Sequence, residues 1–506
     1  MAIIEKTTEK NRYKADPTVM KALRTPRILT REVLAGLVVA MALIPEAIAF
    51  SIIAGVDPRI GLFSTFVMAV AIAFLGGRPA MITGATGAIA LVIAPVARDY
   101  GIEYFIATVI LGGVFQIIFA FLGVAKIMRF IPRSVMVGFV NALAILIFTS
   151  QLPQLLGVPF MVYPLVAVGI IIMVVMPRIT KVIPAPLVAI VVLTILTVVV
   201  SINVPTIGDQ GELPKTLPQL FFPDVPLNLD TFLIIAPYAL GMAMVGILES
   251  LMAAKIVDEV TDTHSNKTRE TWAQGVANML SGFFGGMGGC AMVGQTMINV
   301  KASGARTRIS TFLAGIFLLV LVLGLGPVLS VVPMAALVSV MIIVAVLTFD
   351  WHSIRISTLK RMPKSETTVM VFTVVAVVAT HNLAVGVVIG VVIAMVAFAR
   401  RVAHLAQVER SLTVDDDGPI AYYTVTGALF FASSNDLKTQ FSYLDDPDRI
   451  VIDMTNSHIW DASTVATLDD INYKYQRHDK VVTIEGLNES SSLLHARLAG
   501  NMGSGH

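Results

Sequence analysis

Cysteine is almost absent from this chain: its 506 residues contain one, Cys290, which excludes any disulfide within it. Charge is scarce as well. Asp, Glu, Lys and Arg make up 14% of the residues and hydrophobic residues 56%, whereas soluble domains carry about 25% and 45–50%. That balance excludes an ordinary water-soluble protein. The net charge of +2 says little by its sum, and no nucleic-acid partner is expected. No cluster with metal-ligand spacing, no nucleophile–base arrangement and no phosphate loop occurs. Neither enzymatic activity, nor a metal, nor a cofactor is therefore expected. The first 31 residues are polar and basic, with no short apolar run and cleavage site, so we expect no cleaved signal peptide.

What is abundant is apolar sequence in runs long enough to cross about 30 Å of hydrocarbon. The first seven lie at roughly 33–53, 59–76, 80–97, 102–122, 127–151, 159–176 and 182–201. After a polar interval from Ser201 to Asp230, seven more lie at roughly 232–258, 270–285, 289–302, 308–329, 331–349, 366–381 and 382–399. The charges between them alternate. One side holds Lys126, Arg129 and Arg133, then Arg178 and Lys181, Lys267 and Arg269, Arg306 and Arg308, and Arg355, Lys360, Arg361 and Lys364. On the other, Arg59, Arg98 and Lys215 stand amid Asp57, Asp99, Glu103, Asp209, Glu212 and Asp224. Basic connections mark the cytoplasmic side. We therefore expect a multi-pass, all-α protein of the cell membrane with fourteen segments and both termini in the cytoplasm. Its transmembrane domain would be residues 32–402, with halves at about 32–201 and 231–402, after a cytoplasmic segment 1–31.

From about Val408 the polarity becomes ordinary. Ala421–Phe431 reads as a hairpin or strand pair and Arg449–Met454 as a buried strand. A helix over about Ser463–Arg477 and a strand at Val481–Leu487 follow. Alternating strands and helices imply a small cytoplasmic α/β domain at 408–502.

Two apolar segments are interrupted at corresponding places of the halves: GGRPAMITGATGAIALV (Gly76–Val92) and GGMGGCAMVGQTMINV (Gly285–Val300). Each has a glycine pair, a short extended piece and an apolar half-helix. Paired interruptions of this kind point to a transporter's binding site. Half-helices starting near Gly84–Thr86 and Ala291–Gly294 would aim free N–H groups, each end worth about half a positive charge, at the middle of the membrane. Neither first turn contains Lys or Arg. An anion would thus be held by dipoles together with the Thr83 and Thr86 hydroxyls and the Gln295 amide. The candidate anion-binding set is Thr83, Gly84, Ala85, Thr86, Ala291, Met292, Val293, Gly294 and Gln295. The competing explanation is that the glycines only let helices pack closely.

Two carboxylates lie deep in apolar segments: Glu46, after Pro45, and Glu249. Charges at that depth are costly and are usually functional. Beside an anion site they make sense when a cation travels with the substrate, which favours symport over a passive pore. Asp258 and Glu259 lie near a segment end, where solvation is an equal explanation. Asn141 and Gln151 fit packing as well as a pathway, His381 fits an outer turn, and Cys290 fits packing.

The chain resembles the SulP family of anion permeases over nearly its whole length. The most specific stretch is LIPEAIAFSIIAGVDPRIGLFSTF (Leu43–Phe66), in which Glu46 stands where the family commonly has glutamine and Phe50 and Phe63 replace tyrosines. Thr83–Val92 resembles the third-segment motif, with Ala85 in place of a common proline. Glu249–Leu251 and Gln295–Ser310 resemble the eighth and tenth. The tail is similar to a STAS domain through TGALFF, IDM and WDAS (Trp460–Ser463). The resemblance implies two inverted seven-segment repeats, arranged as core and gate, with the anion between the third and tenth segments. It implies elevator-like transport by a homodimer. Sodium-coupled bicarbonate members carry hydroxyls where this chain has Ala253 and Met292, and Glu46 resembles the proton-coupled members. Ser463 matches a serine phosphorylated in other STAS proteins.

The expected function is secondary active import of a small oxyanion, sulfate leading, by proton symport. Glu46 would accept the proton, and Glu249 would be a further proton or cation site. A sodium-coupled or exchanging bicarbonate transporter and a C4-dicarboxylate/proton symporter are the alternatives. Beyond these stand an uncoupled anion channel, a nucleobase–cation symporter and a membrane-anchored STAS sensor.

Overall fold

The computed structural model describes residues 18–127, 131–179, 184–380, 382–403, 406–415 and 418–499. Arg129, Lys181 and His381 lie outside the described residues. Contacts divide the chain into two compact units, one ending at Val391 and the other beginning at Val392.

The first unit is helical apart from two short strands. In chain order its elements are α1 (Pro26–Ala54), α2 (Pro58–Leu75), β1 (Thr83–Ala85), α3 (Gly87–Tyr100), α4 (Ile102–Phe121), α5 (Arg133–Gln151), α6 (Val162–Ile179) and α7 (Ala185–Val199). Then come α8 (Leu229–Thr261), α9 (Lys267–Phe283), β2 (Gly289–Ala291), α10 (Val293–Met297), α11 (Arg308–Ser330), α12 (Met334–Thr348) and α13 (Lys364–Thr380). The helix α14 (Leu383–Ala403) leads into the second unit. Among the described residues, eight helices are long and apolar enough to cross a membrane, and α7 and α12 are shorter apolar ones.

Local chemistry sets the helix ends. Pro26 and Pro58 open α1 and α2, where a missing N–H costs nothing. Gly55, at φ 75°, closes α1 in the left-handed conformation. The side chains of Asn228 and Asn266 accept the Thr231 and Arg269 N–H groups and so cap α8 and α9. Helices α4 and α9 meet backbone to backbone: a Cβ on Gly113 would lie 2.6 Å from the Gly275 carbonyl oxygen, and the reverse holds equally. Small residues permit such approach where lipid supplies no hydrophobic drive.

The second unit is a four-stranded sheet with helices. β3 (Gln407–Asp415) pairs antiparallel with β4 (Gly418–Leu429), and β5 (Arg449–Ile459) and β6 (Val481–Glu485) extend the sheet in parallel. Its helices are α15 (Phe431–Leu437), α16 (Ala462–Gln476) and α17 (Glu489–Leu498). The expected hairpin within Ala421–Phe431 is a single strand. Tyr423 and Val425 point into the core at period two, and the turn partner is β3. At Phe431 the chain is already helical. The core unites Ile450, Ile452 and Met454 of β5 with Val465, Leu468, Ile471 and Tyr475 of α16.

Candidate functional site

At the centre of the first unit, β1 and β2 run antiparallel, with Thr83 opposite Ala291, Gly84 opposite Cys290 and Ala85 opposite Gly289. Only glycine fits at 289, since a Cβ there would lie 2.0 Å from the Gly84 carbonyl oxygen. Extended backbone among apolar helices needs partners that lipid cannot supply, and neighbouring side chains provide them. Asn278 Nδ2 donates to the Gly289 carbonyl at 3.0 Å while its Oδ1 accepts the Gly289 N–H at 2.9 Å. The Ala85 N–H donates to Thr65 Oγ1, Ala291 N–H to Ser250 Oγ and Ile82 N–H to Thr296 Oγ1, at 3.0–3.1 Å.

The half-helices start where the strands end. Thr86 and Met292 are the N-cap residues of α3 and α10; both are extended, and neither side chain caps its helix. Helix α10 continues through a π turn at Ile298–Ala302. The first-turn N–H groups of Gly87, Ala88 and Ile89, and of Val293, Gly294 and Gln295, lie beyond intrahelical reach. They give both ends positive character without a cationic side chain.

The sequence-predicted residues divide into two groups. Thr83 is buried and its hydroxyl accepts from Gln274 Nε2 at 3.0 Å; Ala85 and Ala291 have committed their N–H groups as above. The Met292 N–H donates to the Ile82 carbonyl at 2.9 Å. These polar groups build the scaffold. Gly84 lies between them in the ladder. The open positions are one or two residues further on: Val293 is half-buried, and Gly294 is exposed, with nothing within 4 Å of an added Cβ. Helix α1 brings Glu46 to Gln295, whose Nε2 donates to Glu46 Oε1 at 2.5 Å. Across the ribbon, Cys290 Sγ donates to Glu249 Oε2 at 2.9 Å and lies 3.2 Å from Thr86 Oγ1. Cys290 therefore links a carboxylate to the start of α3, more than the packing role its glycine neighbours suggest.

Other candidates resolve into structural parts. Asp258 pairs with Arg78 at 3.3 Å and Lys267 at 2.5 Å, whereas Glu259 is exposed. Asn141 donates to Ser353 Oγ at 2.9 Å and accepts the Asp350 N–H at 2.8 Å, anchoring the turn after α12. Gln151 bonds its own helix. Ser463 is exposed in the first turn of α16, beside the N-cap Asp461.

Sequence reasoning missed the supporting residues of α9. Glu270, Gln274, Asn278 and Ser281 are all buried, and their spacing of four, four and three puts them on one helix face. Glu270 accepts the Gly77 and Arg78 N–H groups at 2.7 and 3.0 Å and Gln274 Nε2 at 2.8 Å. That polar stripe was the available signal. A cavity of about 610 Å³ is lined by Arg27, Arg31 and Leu34 of α1, Ile298, Ala302 and Ser303 after α10, and Pro184 before α7. Gly294 is one helical turn before Ile298.

The Sulfate permease family profile matches residues 29–168 and 158–373, and the STAS domain profile residues 411–494. "Putative sulfate transporter YbaR" of Bacillus subtilis is 47% identical over 471 residues, covering 93% of this chain and 97% of that protein. "Bicarbonate transporter BicA" of Picosynechococcus sp. is 26% identical over 485 residues, covering 85% and 83%. Among solved structures, the murine Slc26a9 anion transporter in its inward-facing state has TM-score 0.80 at 16% identity, covering 93% of this chain and 87% of that one. The transmembrane domain of a cyanobacterial BicA has TM-score 0.63 at 24% identity, covering 72% and 97%. These are folds of membrane anion transporters, not of enzymes, and the chain belongs to the sulfate permease family, as an anion transporter with a C-terminal STAS domain.

Proposed function

We propose that the protein imports a small oxyanion, sulfate first among the candidates, together with a proton. The observation that carries the reading is the pairing of Glu46 with Gln295 at the first turn of α10. There a buried carboxylate stands beside an anion-attracting helix end and, among the described residues, has no basic partner. Such a group, able to gain a proton, can tie anion binding to proton uptake. Glu249, bonded to Cys290 and through it to Thr86, is the second proton or cation site. The anion would lie between the starts of α3 and α10, within the Thr83–Thr86 and Ala291–Gln295 stretches. The family name and YbaR support sulfate. The BicA relatives support bicarbonate as the second reading. Ala253 and Met292, both buried and without side-chain oxygen, disfavour sodium coupling.

The exposure of Gly294 and the 610 Å³ cavity beside Ile298 support a state open toward the side of the basic connections, the cytoplasm. Fourteen crossings in two inverted repeats, an elevator movement, a homodimer and cytoplasmic termini belong to the same proposal. So does a domain layout of 1–31, 32–402 and 408–502. Phosphorylation of Ser463 would place negative charge next to Asp461, and is the regulatory part of it.

The test is uptake of labelled sulfate, bicarbonate and fumarate into proteoliposomes under an inward proton or sodium gradient, for native protein and Glu46→Gln. Stimulation of one anion by protons, lost in Glu46→Gln, supports symport and identifies the substrate. Sodium dependence, or uptake indifferent to both gradients, contradicts it.

A further inference from the structure

Gln295 stands between the two ligands that a symporter must couple, and its side chain can be presented in two ways. Its Nε2 donates to Glu46 Oε1 at 2.5 Å. Among the described residues its Oε1 has no hydrogen-bond partner, although the residue is only 4% exposed. Gln116, Gln274 and Asn299 also carry one atom without a partner among the described residues, but their other atoms hold the scaffold. Gln116 accepts from Asn278, Gln274 joins Thr83 to Glu270, and Asn299 donates to the Ala80 carbonyl and Ser310. The Gln295 side chain has a carboxylate as its partner and sits one residue from the exposed Gly294.

Its orientation follows from charge. An ionised carboxylate only accepts hydrogen bonds, so it draws the NH2 end of the amide and turns the carbonyl oxygen away. A protonated carboxyl carries an O–H, whose partner is the amide oxygen. Rotation about the terminal Cγ–Cδ torsion, which is broad and roughly two-fold, exchanges the ends. We infer that Gln295 is the coupling residue: protonation of Glu46 turns its amide over, and the released NH2 group donates to the anion at the start of α10. In that step a proton from water bonds to a Glu46 oxygen, the new O–H donates to Gln295 Oε1, and no bond of the amide changes. With Glu46 ionised, the anion instead meets an amide oxygen and a neighbouring negative charge. Both effects favour joint binding of proton and anion. The inference rests on the symport reading above and states how its two binding events are linked.

Among the described residues, no other titratable group takes that role from the elements packed on α1. Arg59 is bonded to Glu212, Arg98 to Asp99, and Arg308 to the carbonyls of Ile72, Ala73 and Gly76. Lys21, Arg24, Tyr100 and Lys301 are exposed. On α1 itself Glu32 accepts the N–H groups of Arg306, Thr307 and Ser310, and Arg27 and Arg31 line the cavity. Glu249 and Cys290 are bonded to each other.

The experiment measures, in proteoliposomes of full-length protein, KM at pH 6 and pH 8 for whichever of labelled sulfate, bicarbonate and fumarate is carried. Native KM should be lower at pH 6 by about five-fold or more, the scale of an ordinary coupling between sites. Glu46→Gln, whose amide donates permanently to Gln295 Oε1, should hold KM low at both pH values. Gln295→Leu should hold it high at both; Gln295→Met, unbranched and likewise without an amide, is read if the leucine variant does not fold. A Gln295 variant that keeps the native ratio of KM values while its uptake falls makes Gln295 structural, overturns the inference and leaves symport standing. A native KM equal at both pH values, with uptake indifferent to a proton gradient, overturns the symport reading and this inference with it.

Discussion

Glu46 and Asp446 are both buried acidic residues, and their surroundings give them different work. Asp446, in the second unit, accepts from Tyr423 Oη at 2.6 Å, from Tyr475 Oη at 2.5 Å and from two Arg410 nitrogens at 2.7 Å. A charge so fully met is a structural fixture. Glu46 has the Gln295 amide as its hydrogen-bond partner among the described residues, an arrangement that fits the proton exchange proposed for it. Removing one side of a buried charged network strands the rest, so Asp446→Ala should lower the stability of the second unit by about 3 kcal/mol, read by urea unfolding. Tyr475 adds a pH dependence. Burial, then its bond to Asp446, raises its phenol well above the ordinary range. The folded state therefore keeps a proton that the unfolded state releases above about pH 10. Its contribution is complete below that pH and declines above it. Tyr475→Phe should flatten alkaline unfolding between pH 9 and 11; an unchanged profile would contradict this. Glu46 and Gln295 were legible singly, as a carboxylate and an amide at depth. Their pairing was not, because 249 residues separate them. Asp446 carried no signal that set it apart from Asp445 and Asp448.

At the scale of elements, the crossing of β1 and β2 depends on two kinds of glycine. At Gly289 a side chain would collide with the Gly84 carbonyl, whereas at Gly294 there is open space. Gly289→Ala should therefore lower the melting temperature and abolish uptake. Gly294→Ala should melt like the native protein while its anion KM rises, because the methyl would stand in the binding space we propose. Equal melting of the two variants would contradict the geometry. Asn278→Ala leaves both polar groups of Gly289 unpaired and should cost about 1–3 kcal/mol, again read by melting. The half-helices themselves were readable, since the glycine pairs recur at corresponding places of the two halves. Helix α9 was less so: its inward stripe of Glu270, Gln274, Asn278 and Ser281 lowers hydropathy at the element that supports the site. The same masking made Ala421–Phe431 read as a strand pair, for the polar β3 strand preceding it gave little alternation.

At the scale of the whole molecule, alternation of basic and acidic connections predicts which loops face the cytoplasm. Cys290 is buried, so introduced cysteines report cleanly. In whole cells Lys215→Cys should react with an impermeant maleimide, and Lys360→Cys only after permeabilisation; the opposite pattern would invert the topology. Family and membrane class were legible from motifs and composition. Substrate and coupling were not, because the anion site we propose, made of backbone N–H groups, would leave little side-chain signature. The most direct measurement is proton movement driven by the anion alone. Proteoliposomes containing a pH-sensitive dye would be given an inward gradient of the transported anion, without a pH or sodium gradient, and a parallel set would carry Glu46→Gln. The account predicts acidification of the lumen by native protein and none by Glu46→Gln. Anion entry without acidification, or equal acidification by both proteins, would contradict it.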